Sequence, residues 1–340
     1  MKFPVIEVGG KPFDMGFEHG RQAEDLIRKY LEWIDQLTGK PRPELRANAM
    51  RLLPHIRQLS PAYVEEVLGL AEGARIPVED AVLCQCRAEA SHTGEGGCTA
   101  FALTSEATKD GLPLAGQNQD LESEYTDVSV ILKVHPNDGR PRATMFTFAG
   151  QLGYAGMNEH GVANFVNALY NFKWQRAVPY YPIRRVLLEQ RSVAEGVEVL
   201  RRHRGCSALN VVLADAKGAI ADVECRPEAA VLFDDDYAHR RLHTNHYLTD
   251  RFRPFEDGFL PDSKPRLERV RHLVRKHWGA ITVDVMKQIL SDHEGGKGGI
   301  CRHGETRMDS ISGYIAEPAK GLLHVRRGFG CSGDWTVYRV

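Results

Sequence analysis

The chain changes texture at Gly96-Gly97-Cys98, and that change restricts its fold more than any other feature. Ahead of it, apolar residues recur at helical spacing: Leu26, Ile27, Tyr30, Leu31 and Ile34 share one face of a 3.6-residue period. Ser60-Pro61 announces a second helix, carrying Val64, Val67 and Leu68 toward Gly73, and a third begins at Pro77 with Ala81, Val82 and Leu83. A strand over 5–8 precedes them. Behind Cys98, short β-branched and aromatic runs follow one another at 99–104, 112–118, 128–134 and 143–148. Lys109-Asp110-Gly111 and Pro136-Asn137-Asp138-Gly139 mark turns between them.

Gly150, Gly153, Gly156 and Gly161 crowd a region of tight turns or close backbone approach. A helical pattern returns over 182–201, and a hairpin is expected from 209–214 and 219–223 across Asp215-Ala216-Lys217-Gly218. Helices over 265–277 and 282–290 and a closing hairpin of 311–315 with 322–325 complete the chain. Strands in runs, then helices, then strands predict an α+β fold rather than a parallel βαβ series.

Composition narrows function. Of 340 residues, 42% are hydrophobic and 26% charged, and the net charge is −1, values of an ordinary globular protein with no overall pull toward nucleic acid or membrane. The N-terminal residues lack the apolar core of a secretory signal, and no stretch reaches the roughly 18 apolar residues of a membrane span. Seven scattered cysteines argue for a reducing compartment, with cytoplasm the expected location.

Several constellations compete for the chemistry. The helix from Pro265 carries Arg266, Arg269, Arg271, Arg275 and Lys276; in a chain with no basic excess this reads as a solvated face opposite Leu267, Val270, Leu273 and Val274. Asp292, His293, Cys301 and His303 lie close along the chain, as do Cys84 and Cys86, but neither has the paired spacing of a zinc site. Gly295-Gly296-Lys297-Gly298-Gly299 is not a phosphate loop, since no strand feeds it. No metal and no cofactor is expected. Cys98 itself admits two readings: a buried cysteine at a strand start, or a nucleophile set free by cutting the Gly97–Cys98 bond, whose new amine serves as base for its own thiol.

Gly97-Cys98-Thr99 with downstream Gly116-Gln117-Asn118-Gln119-Asp120 resembles the acyl-coenzyme A:6-aminopenicillanate acyltransferase (isopenicillin N acyltransferase) family, peptidase family C45 of the N-terminal nucleophile hydrolases. The segment from Gly10 to Gly20, the run from Glu65 to Ala74, Arg87-Ala88-Glu89, His243-Thr244-Asn245-His246-Tyr247 and Asp292-His293 with Ile300-Cys301-Arg302-His303 are similar to further family signatures in order. The resemblance implies a four-layer αββα sandwich in which 1–97 is a propeptide or first subunit and 98–340 the second. It implies Cys98 as nucleophile and Gly97–Cys98 as the cleavage site, Asn245 as an oxyanion donor beside a backbone N–H, and Asp120 as the carboxylate holding the Cys98 amine. For Asp120 and Asn245, turn residues are the alternative.

The family often carries a hydroxyl residue near the C-terminal end; Ser310 or Ser312 could take that place, and Ser310 is assigned, although the local pattern differs. His19 and His246 are expected to be structural, and Cys301, Arg302 and His303 to pack and position. The function implied is an amide hydrolase or acyltransferase working through a Cys98 thioester, on a small acyl donor, either an amide or a thioester such as an acyl-coenzyme A, with an amine as acceptor in the transferase case. A non-processing binding protein of the same fold and a metal-dependent hydrolase are the rivals.

Overall fold

The computed structural model describes residues 2–93, 96–170, 174–258, 260–294, 296, 299–304 and 308–340. Strand β1 (Val5–Gly10) leads into a long helix α1 (Pro12–Thr38), which proline opens and Gly39 closes in the left-handed region at φ 60°. Helices α2 (Arg42–Met50), α3 (Leu53–Leu59), α4 (Pro61–Gly73), α5 (Val78–Cys84) and α6 (Arg87–Ser91) follow. The α1–α4 contact explains part of the opening pattern. A methyl group added at Gly16 would lie 1.8 Å from the Glu66 carbonyl oxygen, and one at Gly69 2.0 Å from that of Phe13. Only glycine lets the two backbones approach this closely.

The strand run is β2 (Gly97–Leu103), β3 (Leu114–Leu121), β4 (Ser129–Pro136), β5 (Ala143–Phe148), β6 (Ala155–Asn158) and β7 (Ala163–Ala168). Helices α7 (Tyr180–Leu187) and α8 (Val193–Arg202) precede β8 (Leu209–Ala214), β9 (Ile220–Arg226), β10 (Ala229–Leu232) and β11 (Arg240–His243). Then come α9 (Ser263–Lys276), α10 (Val283–Ile289), β12 (Asp309–Glu317), β13 (Leu322–Arg327) and β14 (Asp334–Arg339). The single helix expected over 182–201 is thus two, the second capped where the Ser192 hydroxyl accepts the Glu195 amide. Strands β6 and β7 occupy the glycine-crowded region. The Ser60 side chain makes no cap bond; Pro61 alone marks that helix start.

Two sheets result, one ordered β1-β4-β5-β6-β7-β8-β9-β10 and the other β11-β2-β3-β12-β13-β14. Their inner faces meet through aromatic rings, Tyr314 of β12 packing on Phe146 of β5 and Phe165 of β7, and through Gln117 of β3, whose side chain exchanges hydrogen bonds with the Val166 backbone at 2.6 and 3.2 Å. Outside the small sheet, Leu267, Val270 and Val274 of α9 cover Phe101, Leu242 and Ile315. Outside the large sheet, Val193, Val197 and Leu200 of α8 cover Val211, Leu213 and Val223, and α1 packs with β1 and β4. The architecture is the αββα sandwich expected. No described helix is long and apolar enough to cross a membrane. The glycine-rich run keeps only Gly296 and Gly299 among the described residues.

Candidate active site

Strands β2, β3 and β12 lie at the centre of the small sheet, and the candidate residues converge there. Antiparallel pairing sets Gly97 opposite Asp120 and Cys98 opposite Gln119. Alternation sends their side chains to opposite faces. Cys98 and Gln119 point into the interior between the sheets, where the Gln119 amide lies 3.5 Å from the Cys98 sulfur. Asp120 points outward, toward α9.

Cys98 is buried, and its thiol is pushed up to about 12, first by burial and then by the charge of Asp120. In the continuous chain it is therefore a neutral thiol. It lines a narrow cavity of about 60 Å³ together with Gln119, Tyr154, Val166, Ala168 and Arg184. Arg184 is buried, its guanidinium 3.6 Å from the Tyr154 ring centroid, and its Nε and Nη2 have no hydrogen-bond partner among the described residues.

Asn245 follows β11 in a turn pinned by Ser263 at the start of α9, whose hydroxyl accepts the Asn245 amide at 2.8 Å. The Asn245 side chain faces the junction. Its Oδ1 accepts the Cys98 backbone N–H at 2.9 Å, and its Nδ2 spends one hydrogen on the Ala168 carbonyl at 3.0 Å. A second Nδ2 hydrogen remains.

Asp120 lies on the other side of the Gly97–Cys98 bond. Its Oδ1 accepts the Ser310 hydroxyl at 2.6 Å, and its Oδ2 has no hydrogen-bond partner among the described residues. A methyl group on Gly97 would sit 3.2 Å from that Oδ2 and 2.5 Å from Arg302 Nη1. Burial raises the Asp120 carboxyl above its ordinary range, against the pull of Arg302 and Arg266. Between the two serines the geometry discriminates: the Ser312 hydroxyl donates to the Arg326 carbonyl at 2.7 Å. The bulge between Ser310 and Ser312 in β12 supports the difference, because it places an extra residue between them.

Arg266 corrects the reading of α9 as a wholly solvated basic face. It is fully buried, donating to the Cys98 carbonyl at 2.6 Å, the Thr99 hydroxyl at 3.0 Å and Asn245 Oδ1 at 2.8 Å. The signal was present: Arg266 stands four residues before Val270, on the apolar side of the helix. Asp262 completes the group, meeting Arg266 at 3.4 Å and Arg302 at 3.0 Å. Arg302 brings its charge close to Gly97 and Asp120, its Nη1 lying 3.9 Å from Asp120 Oδ2. His19 and His246 are both hydrogen-bonded into the fold. His19 accepts the Gly150 amide at 3.1 Å, and burial lowers its pKa to about 4; His246 meets the Ser263 hydroxyl at 2.7 Å.

The fold is that of the N-terminal nucleophile hydrolases, and the class of protein is an acyltransferase or amide hydrolase. The model of the acyl-coenzyme A:6-aminopenicillanic acid acyl-transferase family matches residues 107–328, and the chain belongs to that family. Asp120, Asn245, Arg266, Arg302 and Ser310 fall inside the match, which begins just beyond Cys98. The chain is 28% identical over 331 residues to the 40 kDa form of acyl-coenzyme A:6-aminopenicillanic-acid-acyltransferase from Emericella nidulans, covering 94% of this chain and 91% of that one. A mutant conjugated bile acid hydrolase from Clostridium perfringens shares the fold, with a TM-score of 0.50 and 16% identity over 72% of this chain and 97% of its own.

Proposed function

We propose that the protein matures by cutting its own Gly97–Cys98 bond and then acts as a cytoplasmic N-terminal-cysteine amide hydrolase or acyltransferase. The observation that carries this reading is the position of Cys98, whose thiol faces a cavity on one side of β2 while its peptide bond lies between Asn245 and Asp120 on the other. Cleavage starts with attack of the Cys98 sulfur on the Gly97 carbonyl carbon. The C–N bond breaks, the departing nitrogen takes the thiol proton, and water resolves the thioester to a Gly97 carboxylate and a free thiol. Fragments 1–97 and 98–340 remain as two subunits of one αββα domain.

The freed α-amine then replaces the amide N–H that Asn245 Oδ1 holds. It accepts the thiol proton, and the thiolate attacks the acyl carbon of an amide or thioester. Asn245 Nδ2 and a backbone N–H stabilise the oxyanion. The leaving amine or thiol departs protonated, and water or a second amine collects the acyl group. Asp120, held by Ser310, keeps the amine in place. For a small-molecule acyl donor, acyl-coenzyme A among the candidates, Tyr154, Val166 and Ala168 offer an apolar wall beside Cys98, and the unpartnered Arg184 nitrogens suit an acceptor group on the acyl chain.

Denaturing electrophoresis with intact mass measurement tests the reading. Wild type is expected as fragments 1–97 and 98–340 with a free N-terminal cysteine, and Cys98→Ala as one chain. A wild-type chain that stays whole and fails to form an acyl-enzyme with amide or thioester libraries would favour the non-processing binding protein.

A further inference from the structure

Away from the catalytic sulfur, we infer that the turns leading into β12 and β14 form a tetrahedral transition-metal site with His293, Cys301, His303 and Cys331 as ligands. One ligand atom from each of the four lies within 4.8 Å of every other. His293 Nε2 and His303 Nε2 are 2.8 Å apart, and His303 Nε2 is 3.4 Å from Cys331 Sγ. A zinc ion with Zn–N near 2.0 Å and Zn–S near 2.3 Å spaces its ligand atoms by roughly 3.3–3.8 Å, so side-chain rotations of modest size convert the cluster into a coordination shell. Two imidazoles and two thiolates in a tetrahedral arrangement suit zinc and disfavour the hard ions magnesium and calcium.

The surroundings are those of a held site. The Gly330 N–H donates to Cys301 Sγ at 3.1 Å, a bond that supports a metal-bound thiolate. The His303 ring stacks on Phe329 at 4.7 Å. Asp292, next in sequence to His293, is not a competing ligand: both its oxygens bond Arg269, at 2.8 and 2.7 Å. Cys301 is buried, whereas His293 and Cys331 reach solvent, which gives an ion its entry path. Local spacing hides this set because Cys331 arrives from the β13–β14 turn.

The site has a structural consequence. Arg302 lies between ligands Cys301 and His303, and it is the residue whose guanidinium packs against Gly97. A bound ion would fix the main chain on both sides of Arg302, stitching it to the β13–β14 turn, and two thiol protons would be released to solvent on binding. This is a positioning role, separate from the Cys98 chemistry.

Cobalt tests the inference on the full-length protein, stripped with chelator under reductant. Co²⁺ is expected to give tetrahedral ligand-field bands and a thiolate charge-transfer band saturating at one equivalent, displaced by Zn²⁺. Cys331→Ser and His293→Asn, both at exposed positions, should each weaken cobalt binding at least roughly tenfold, and the double variant should abolish the bands while circular dichroism stays native. Absence of the bands in protein whose thiols titrate as free overturns the site, and so do bands that survive in the double variant. A Cys301–Cys331 disulfide in freshly isolated protein that, once reduced, binds no cobalt overturns it equally. Zinc loading should also slow amide hydrogen exchange in the peptide spanning Cys301 and Arg302; unchanged exchange would overturn the positioning role.

Discussion

Arg266 donates to the carbonyl oxygen of Cys98 at 2.6 Å, across 168 positions of sequence. With its second nitrogen it meets the Asn245 oxygen that accepts the Cys98 amide. One guanidinium thereby aligns both ends of the Cys98 backbone, a task for which a planar fork of donors is suited and a lysine is not.

Arg266→Met keeps the bulk of the side chain but leaves a buried carbonyl, a hydroxyl and Asp262 short of a donor. We expect about 1–3 kcal/mol of lost stability and a rate of Gly97–Cys98 cleavage reduced at least about tenfold, with Arg266→Lys giving incomplete rescue. Pulse-chase electrophoresis alongside denaturant melts separates the two effects. Cleavage at the wild-type rate in Arg266→Met would remove Arg266 from the site.

Gly97→Ala puts a methyl group 2.5 Å from Arg302 Nη1, so the guanidinium must yield or the strand must shift. Processing should slow while the uncut chain still folds, because the clash is with a side-chain tip. The check is a time course of fragment appearance; equal rates in Gly97→Ala and wild type would mean the packing at this bond is not limiting.

Ser310→Ala leaves Asp120 Oδ1 and the Arg302 amide without the hydroxyl that joins them at 2.6 and 2.9 Å. Ser312→Ala loses a bond to the Arg326 carbonyl and touches nothing on Asp120. We expect Ser310→Ala to lower kcat of the mature enzyme by about tenfold, on the order of 1.4 kcal/mol, and Ser312→Ala to leave it close to wild type. Steady-state kinetics on any turned-over amide decide the matter, and an equal effect of the two substitutions would count against Ser310.

His19 supplies a pH dependence with a definite sign. Its folded pKa of about 4 lies below the ordinary 6.5, so the unfolded chain binds the proton more readily. Stability from the neutral ring is fully present above pH 6.5 and is lost as pH falls toward 4, by on the order of 3 kcal/mol across the window. His246, lowered to about 3 by burial, acts in the same direction. Denaturant melts at pH 7 and pH 5 should show wild type losing stability and His19→Gln losing less. Parallel losses would show that His19 does not carry the effect.

How much was legible in the sequence follows from the range of each signal. The period of Ile27, Tyr30 and Ile34 places α1, and the β-branched run after Cys98 places β2, because both are set by neighbours a few residues away. Gly97-Cys98-Thr99, Asp120 and Asn245 were singled out by family resemblance, and Ser310 only as one of two serines. The bulge in β12 separates Ser310 from Ser312, and no local spacing encodes it.

Arg266 marks the limit most clearly. Its composition reads as a solvated basic helix, yet the fold turns this one arginine under the sheet, where three buried acceptors and Asp262 compensate its desolvation. Cys331 is similar, since its proximity to His303 exists only once β13 and β14 have paired. By itself the sequence determined the elements and the α+β order through local periodicity, and singled out Cys98 through motif. Only the tertiary structure decided which charges surround that residue, because burial and long-range hydrogen bonds arise from strands and helices meeting across hundreds of positions.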